Sequence, residues 1–145
     1  MAEVLHIFQC LAHGKPMREF EEALAMENKG LKDCIHGQAG SLRQVLVMAG
    51  ETLEEFGIAP GQAKENITTY GIVVSTLALG QRLRIGEALL EVSEPCPTCH
   101  LMNEIRPGLQ DQIQGRRGVM CQVIEAGRIR RGDLVEIEDQ GRTAS

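Results

Sequence analysis

Aromatic side chains are scarce in this 145-residue chain, at 3% of the sequence, and tryptophan is absent. A platform of aromatic rings that stacks on single-stranded nucleic acid is therefore not expected. The net charge of −5, with the acidic residues scattered, also argues against nucleic acid or an anionic membrane surface as a partner. Hydrophobic residues make up 43% of the chain, so the core must be built mainly from aliphatic side chains.

The sequence also lacks a long apolar run and an export signal. No stretch approaches the ~20 consecutive apolar residues that a membrane-spanning helix needs. The beginning, Met1-Ala2-Glu3, shows neither the basic nor the apolar region of a signal peptide. We therefore expect a cytoplasmic protein without a membrane partner. Its five cysteines are an odd number, so we expect reduced thiols used for catalysis, metal binding or packing rather than a disulfide framework.

The length predicts one domain over residues 1–145, with a frayed tail over 140–145. Short segments with apolar alternation or β-branched residues, separated by glycine and proline, predict strands. They lie at 3–9, 43–48, 66–70, 82–85, 88–93, 119–125 and 133–137, with a tight turn at Gly86-Glu87, short helices at 51–56, 101–105 and 109–113, and a turn at 127–131. The pattern favours a mostly β, mostly antiparallel, barrel-like fold with two or three short helices.

The densest group of reactive side chains follows the strand at 88–93. Pro95 ends that strand because it has no backbone N–H to donate, and Cys96, Cys99 and His100 come next. No other stretch places so many soft ligands or nucleophiles together. The function of the chain therefore depends mainly on what these two thiols do.

Four uses of the Cys-x-x-Cys pair are compatible with the residues alone. Cys96-x-x-Cys99-His100 has the spacing of a c-type haem attachment site, which would require export. It also has the spacing of a redox dithiol between a strand and a helix. A zinc site would need two further ligands, which Cys34 and His36 could supply if the loops meet. The fourth possibility is that both cysteines are simply packed at the end of a strand.

The other cysteines and the arginines can be explained either by burial or solvation alone or by a function. Cys10 and Cys121 lie within apolar patterns and are expected in the core. Arginines are usually solvated, but a few could converge on an anion, because the guanidinium fork matches phosphate oxygens. Arg116 and Arg117, between two glycines, are a candidate anion-holding loop.

A series of short motifs follows in a fixed order between residues 43 and 137. They are Arg43-Gln-Val-Leu-Val, Pro60-Gly61, Glu65-Asn66-Ile-Thr-Thr, Gly80-x-Arg82-Leu83-x-Ile85-Gly86, Pro95-Cys96-x-x-Cys99, Gly118-Val119 and Gly132-Asp133-x-Val135. In order and spacing this series resembles the MOSC family, named after the C-terminal domain of molybdenum-cofactor sulfurases; residues 1–42 match more loosely. The family fold is a β-rich, barrel-like domain, which implies that 20–26 is also a strand.

The resemblance implies a role in handling molybdenum cofactor or sulfur. Family members bind the molybdenum cofactor or carry sulfur, and in amidoxime-reducing members the cysteine at the position of Cys99 ligates molybdenum. We therefore expect Cys99, helped by Cys96, to carry a persulfide or to ligate molybdenum. The side chains expected to bind the pterin phosphate, orient a ligand or move a proton are Arg43, Asn66, Arg116, Arg117 and His36.

The resemblance has one departure and leaves two alternatives. The family's Gly-Leu-x-Gly-Asp loop with a following histidine corresponds here to Gly30-Leu-Lys-Asp-Cys-Ile-His36, which lacks the second glycine. A sulfurase or molybdoenzyme is the implied partner, and pyridoxal phosphate enters only through association with sulfurases. The alternatives are a non-catalytic binding module and a small zinc protein that uses Cys96 and Cys99 with Cys34 and His36.

Overall fold

A computed structural model of the chain describes residues 2–12, 14–35, 37–96 and 101–138. The strands are β1 (Glu3–Gln9), β2 (Arg18–Phe20), β3 (Glu22–Met26), β4 (Gly30–Leu31), β5 (Val45–Ala49), β6 (Ile67–Tyr70), β7 (Arg82–Ile85), β8 (Ala88–Pro95), β9 (Val119–Glu125), β10 (Gly127–Arg130) and β11 (Val135–Glu138). The helices are α1 (Gly50–Phe56), α2 (Leu101–Ile105) and α3 (Leu109–Gln112), with a 3-10 turn at Val74–Thr76. The expected mostly β fold is confirmed.

The strands form two sheets. The larger has the order β11-β7-β8-β9-β5-β6-β1-β2, and the smaller has the order β10-β3-β4. Neighbouring strands are antiparallel except for β5 and β6, which run parallel. The expected mainly antiparallel arrangement is therefore present.

The larger sheet does not close into a barrel. Its two ends approach each other at one isolated bridge between Glu3 and Leu134, and the N–H of Val4 donates to the carbonyl of Asp133 at 2.9 Å. Beyond this point β1 pairs with β2 from Ile7 onward, while β11 pairs only with β7. The two ends of the expected barrel therefore meet only at this short contact. A continuous ladder between β1 and β11 does not form, because β2 occupies the edge of β1 that β11 would need.

Strand β5 is buried on both faces, which explains its uninterrupted apolar sequence. Val45 and Val47 enter a cluster that also contains side chains of the smaller sheet. Leu46 and Met48 enter a second cluster, with side chains of the three helices. Fully burying one such aliphatic side chain stabilises the fold by about 1.5–3 kcal/mol, so both faces of β5 hold the molecule together.

Two segments differ from the sequence prediction. Residues 20–26 divide into β2 and β3, with a break at Glu21. Residues 127–130, expected as a turn, form β10 and pair with β3, because Ile129 is fully buried in the first cluster. No helix among the described residues is long and apolar enough to span a membrane.

Glycine 118 allows β9 to begin close against β5. Gly118 has a φ of +123°, and a Cβ there would lie 2.5 Å from the carbonyl oxygen of Val47. Gly115, in the same loop, has a φ of +80°, but a Cβ there would meet no atom within 4 Å. Substitution of Gly115 therefore tests the cost of an unusual backbone conformation alone, whereas substitution of Gly118 adds the cost of a close contact.

We expect Gly118→Ala to destabilise the fold more than Gly115→Ala. Alanine at Gly115 has to adopt a left-handed backbone, at a cost of about 1–2 kcal/mol. Alanine at Gly118 meets backbone strain and also a clash with Val47, and overpacking of this kind adds about 1–3 kcal/mol. Urea unfolding of both variants measures the difference, and equal free energies of unfolding would contradict the close approach.

Candidate functional site

The first cysteine of the pair lies where β8 meets the start of β9. The backbone N–H of Cys96 donates to the carbonyl of Gly118 at 3.0 Å. The side chain of Cys96 is partly buried and packs against the helix-side cluster of Leu46, Met48 and their neighbours. Cys99, His100 and His36 lie outside the described residues, so the position of Cys96 fixes where the candidate site begins.

The guanidinium of Arg117 contacts the sulfur of Cys96. Arg117 is only 4% exposed, and its Nη1 lies 3.3 Å from Cys96 Sγ and 3.7 Å from Met48 Sδ. Its Nη2 donates to the carbonyl of Ala63 at 2.9 Å, whereas its buried Nε has no hydrogen-bond partner in the part of the chain that the structure describes. The fold thus holds a fixed positive charge against a thiol.

The neighbouring arginine points the other way. Arg116 forms two hydrogen bonds with the carboxylate of Glu55, at 2.8 and 2.5 Å, and its guanidinium lies over the ring of Phe56 at 5.2 Å. This hydrogen bonding lowers the pKa of Glu55 and raises that of Arg116. Both side chains are exposed, so the pair contributes little stability.

Arg43 approaches the site from the loop before β5. Its Nε donates to Glu94 at 2.5 Å. The hydrogen bond with Glu94 is the main cause that raises the pKa of Arg43, and attraction to Cys96 is the smallest. The structure therefore brings Arg43 and Arg117 towards the same thiol, one at the surface and one in the interior.

A buried carboxyl group, which the sequence analysis did not select, lies in the same region. Glu65 has no exposed surface. Its Oε2 accepts hydrogen bonds from the N–H of Gly61 at 2.7 Å and from Thr68 Oγ1 at 3.3 Å, and its Oε1 has no hydrogen-bond partner among the described residues. Burial raises its pKa. Its position two residues before β6 carries no pattern in the sequence that would indicate burial.

Comparison with known proteins identifies the family. The model of the MOSC domain matches residues 35–136. The chain belongs to the MOSC domain family. A search of curated protein sequences gave no match. The family is related to molybdenum-cofactor sulfurases and is associated with the biology of that cofactor.

Solved structures share the fold of this MOSC domain. The YuaD protein from Bacillus subtilis matches with a TM-score of 0.79 and 16% identity, over 96% of this chain and 97% of that one. YiiM from Geobacillus stearothermophilus matches with 0.74 and 18%, over 99% and 78%. YiiM from Escherichia coli matches with 0.70 and 24%, over 100% and 72%. Identities this low show a common fold and nothing about shared ligands.

The residues around Cys96 suit an anionic, sulfur-bonding group. A thiolate is a soft ligand of the kind that metal–sulfur chemistry uses, and within the described part of the chain the buried Nε of Arg117 lacks an acceptor. Arg43 is exposed and paired with the carboxylate of Glu94, which a phosphate could replace. The donor types at Cys96, Arg117 and Arg43 are thus compatible with the molybdenum cofactor, whereas Arg116 lies on Glu55 and Phe56.

Asn66 lies away from this thiol, in the interior. Its Oδ1 accepts from the N–H of Leu46 at 3.0 Å, and its Nδ2 donates to the carbonyl of Phe8 at 3.1 Å and contacts Cys34 Sγ at 3.5 Å. The amide thus ties β5 to β1. A cofactor-binding role for Asn66 stays a prediction, while its contribution to the fold follows from these bonds.

The zinc site that combines Cys34 and His36 with Cys96 and Cys99 stays a prediction, because His36 and Cys99 lie outside the described residues. Cys34 packs in the cluster between the sheets, and Cys96 packs in the cluster under the helices, with β5 between them. Within the described residues, no three His, Cys, Asp or Glu side chains are grouped to hold a metal ion. Cys10 and Cys121 are buried as expected, and burial raises the pKa of Cys121 to about 12.

We expect Asn66→Ala to destabilise the protein strongly. The substitution leaves the N–H of Leu46 and the carbonyl of Phe8 buried without their partner, at about 1–3 kcal/mol each. Asn103→Ala is the matched control, because the exposed amide of Asn103 also makes two hydrogen bonds, both with Gln110. Urea unfolding should show a small effect at Asn103, and an equally small effect at Asn66 would contradict a structural role.

We expect Glu65→Gln to become more favourable relative to the wild type as the pH rises. Below its ordinary pKa, near 4.5, Glu65 is protonated in both the folded and unfolded states. Above that value the unfolded chain loses the proton while the folded chain keeps it, so wild-type stability decreases with pH up to the raised pKa. Glutamine does not titrate and escapes this loss.

Urea unfolding at a series of pH values from 4 to 8 measures this difference. Glu55→Gln is the control, because hydrogen bonding to Arg116 lowers the pKa of Glu55 and the trend should be weak and opposite in sign. A stability difference at Glu65 that does not change with pH, or that changes in the opposite direction, would show that its folded carboxyl is ionised.

Proposed function

We propose that this MOSC domain handles sulfur or the molybdenum cofactor through the segment from Cys96 to Cys99. In this proposal Cys99, with Cys96 beside it, carries a persulfide or ligates molybdenum. The observation that supports it is the buried guanidinium of Arg117 at 3.3 Å from Cys96 Sγ. Nearby positive charge favours the thiolate, which is the form needed both for nucleophilic attack and for metal ligation.

As a sulfur carrier, the segment needs no external oxidant. A cysteine thiolate attacks the outer sulfur of a donor persulfide, a new S–S bond forms, the donor's S–S bond breaks, and the donor leaves as a thiolate. The product is a cysteine persulfide on this chain. A positive group beside the segment favours its anionic form, and Arg117 and Arg43 supply two such groups.

As a cofactor-binding domain, the protein would use one thiolate ligand and two anion-binding side chains. Cys99 would be the thiolate ligand, while Arg43 and Arg116 would bind the phosphate by charge-assisted hydrogen bonds, and His36 would orient a ligand or move a proton. When bound, the molybdenum cofactor would supply a redox-active metal centre. We further propose a cytoplasmic location and a sulfurase or a molybdoenzyme as the partner.

We expect protein purified anaerobically from its native host to carry sulfur or molybdenum at this segment. Intact mass would show an increase of about one sulfur that reductant removes, or elemental analysis would show molybdenum. Cys99→Ala should abolish either signal. Cys10→Ala is the matched control, because Cys10 is a buried thiol in the cluster between the sheets, and this variant should retain the signal.

The outcomes separate the alternatives. Molybdenum or sulfur that persists in Cys99→Ala would contradict the assignment to that thiol. Cofactor that binds without the participation of either cysteine would indicate a non-catalytic binding module. Stoichiometric zinc that chelators remove with unfolding would indicate a structural metal protein.

A further inference from the structure

Among the described residues, no carboxylate receives a hydrogen bond from the buried guanidinium of Arg117. Its hydrogen-bond contacts there are with a thioether, a thiol and a carbonyl, at Met48, Cys96 and Ala63. Transfer of an ion from water to a protein interior costs several kcal/mol unless an opposite charge compensates it. Of the three groups only the thiol of Cys96 can become an anion, so it is the natural counter-ion.

The nearest buried acid does not supply that charge. Glu65 is completely buried; one of its oxygens has no hydrogen-bond partner among the described residues, and the other is held by Gly61 and Thr68. Burial is the main cause that raises its pKa, and the attraction of Arg117 is the weakest of the influences on it. Burial therefore disfavours the charged form of Glu65, and its hydrogen bonds go to groups other than Arg117.

Charged side chains of the neighbouring elements also have to be considered. Arg43 attracts Cys96 but is bonded to Glu94, so these two charges offset each other at an exposed position. Helix α2, which packs on the same cluster, carries Glu104, and Arg106, the residue after the helix, donates from Nη1 to the carbonyl of Phe56 at 2.8 Å. Arg117 differs from Arg43 and Arg106 because it is buried and its Nη1 lies 3.3 Å from Cys96 Sγ.

We infer that Arg117 is a positioning residue that keeps Cys96 in the thiolate form at neutral pH, and that the carboxyl of Glu65, bonded to Gly61 and Thr68, leaves its charge free to do so. Cys96 is then an ionised thiol that assists Cys99 rather than a passive neighbour. This inference deepens the proposed function, but it concerns the ionisation of one thiol and can hold even if the segment never carries sulfur or metal.

The test is the pH dependence with which Cys96 reacts with iodoacetamide. It uses reduced, full-length protein, and tandem mass spectrometry of the tryptic peptide separates Cys96 from Cys99. While the pH is below a pKa near 8.5, the reaction rate of an ordinary thiol rises about tenfold with each unit of increase in pH. A thiolate held by Arg117 should react at a rate that is nearly constant from pH 6.5 to 9.

Substitution of Arg117 should restore ordinary behaviour. We expect Arg117→Met to slow the reaction of Cys96 at pH 6.5 by at least about tenfold, with the rate recovering as the pH rises. Arg117→Lys keeps the charge and should give an intermediate profile. Arg128→Met is the matched control, since this arginine on β10 is partly exposed and paired with Glu22, and its profile should equal that of the wild type.

Glu65→Gln tests the second half of the inference. If Glu65 is neutral, the profile of Cys96 stays unchanged; if Glu65 is ionised, removal of its charge speeds the reaction at low pH and overturns this half.

A wild-type profile that titrates near pH 8.5, or an unchanged profile in folded Arg117→Met, would overturn the role of Arg117. The wild-type profile and Arg117→Lys decide the matter even if Arg117→Met does not fold. Loss of bound sulfur or molybdenum with an intact profile would instead count against the proposed function alone.

Discussion

Burial of β5 on both faces is the constraint on which the rest of the structure depends. Its alternating side chains enter two separate apolar clusters, one between the sheets and one under the helices. A shift of its register by one residue would exchange the two sets. The same division sorts the described cysteines, because Cys10, Cys34 and Cys121 lie on the sheet side and Cys96 packs on the helix side. One thiol is thereby kept apart from the rest.

A single loop then decides the character of the site. Arg116 and Arg117 are adjacent in sequence, yet one reaches a surface carboxylate and the other is inserted beside Cys96. Directly after them, β9 begins at Gly118's close approach to Val47. The loop therefore supplies one exposed arginine that is paired with a carboxylate and one buried arginine that contacts a thiol.

Local pattern in the sequence predicted much of the fold and part of the site. The alternation of β1 and β9 and the Gly86-Glu87 turn between β7 and β8 were sufficient to find those strands. Strand β10 was missed because it contains one apolar residue, Ile129, whose burial depends on a distant sheet. Asn66 illustrates a similar limit, because its partners, Phe8 and Leu46, are remote in sequence. The burial of Glu65 likewise arises only after the chain has folded.

The joint between Glu3 and Leu134 has a consequence for the order in which the chain can fold. It unites segments near the two ends of the described sequence, and pairings between such remote segments form slowly. During synthesis from the N-terminus, β1 can pair with β2 at once, but its contact with Leu134 must wait for nearly the whole chain. We expect the emerging protein to pass through a stage in which the first residues of β1 present an unpaired strand edge, the kind of surface that promotes aggregation.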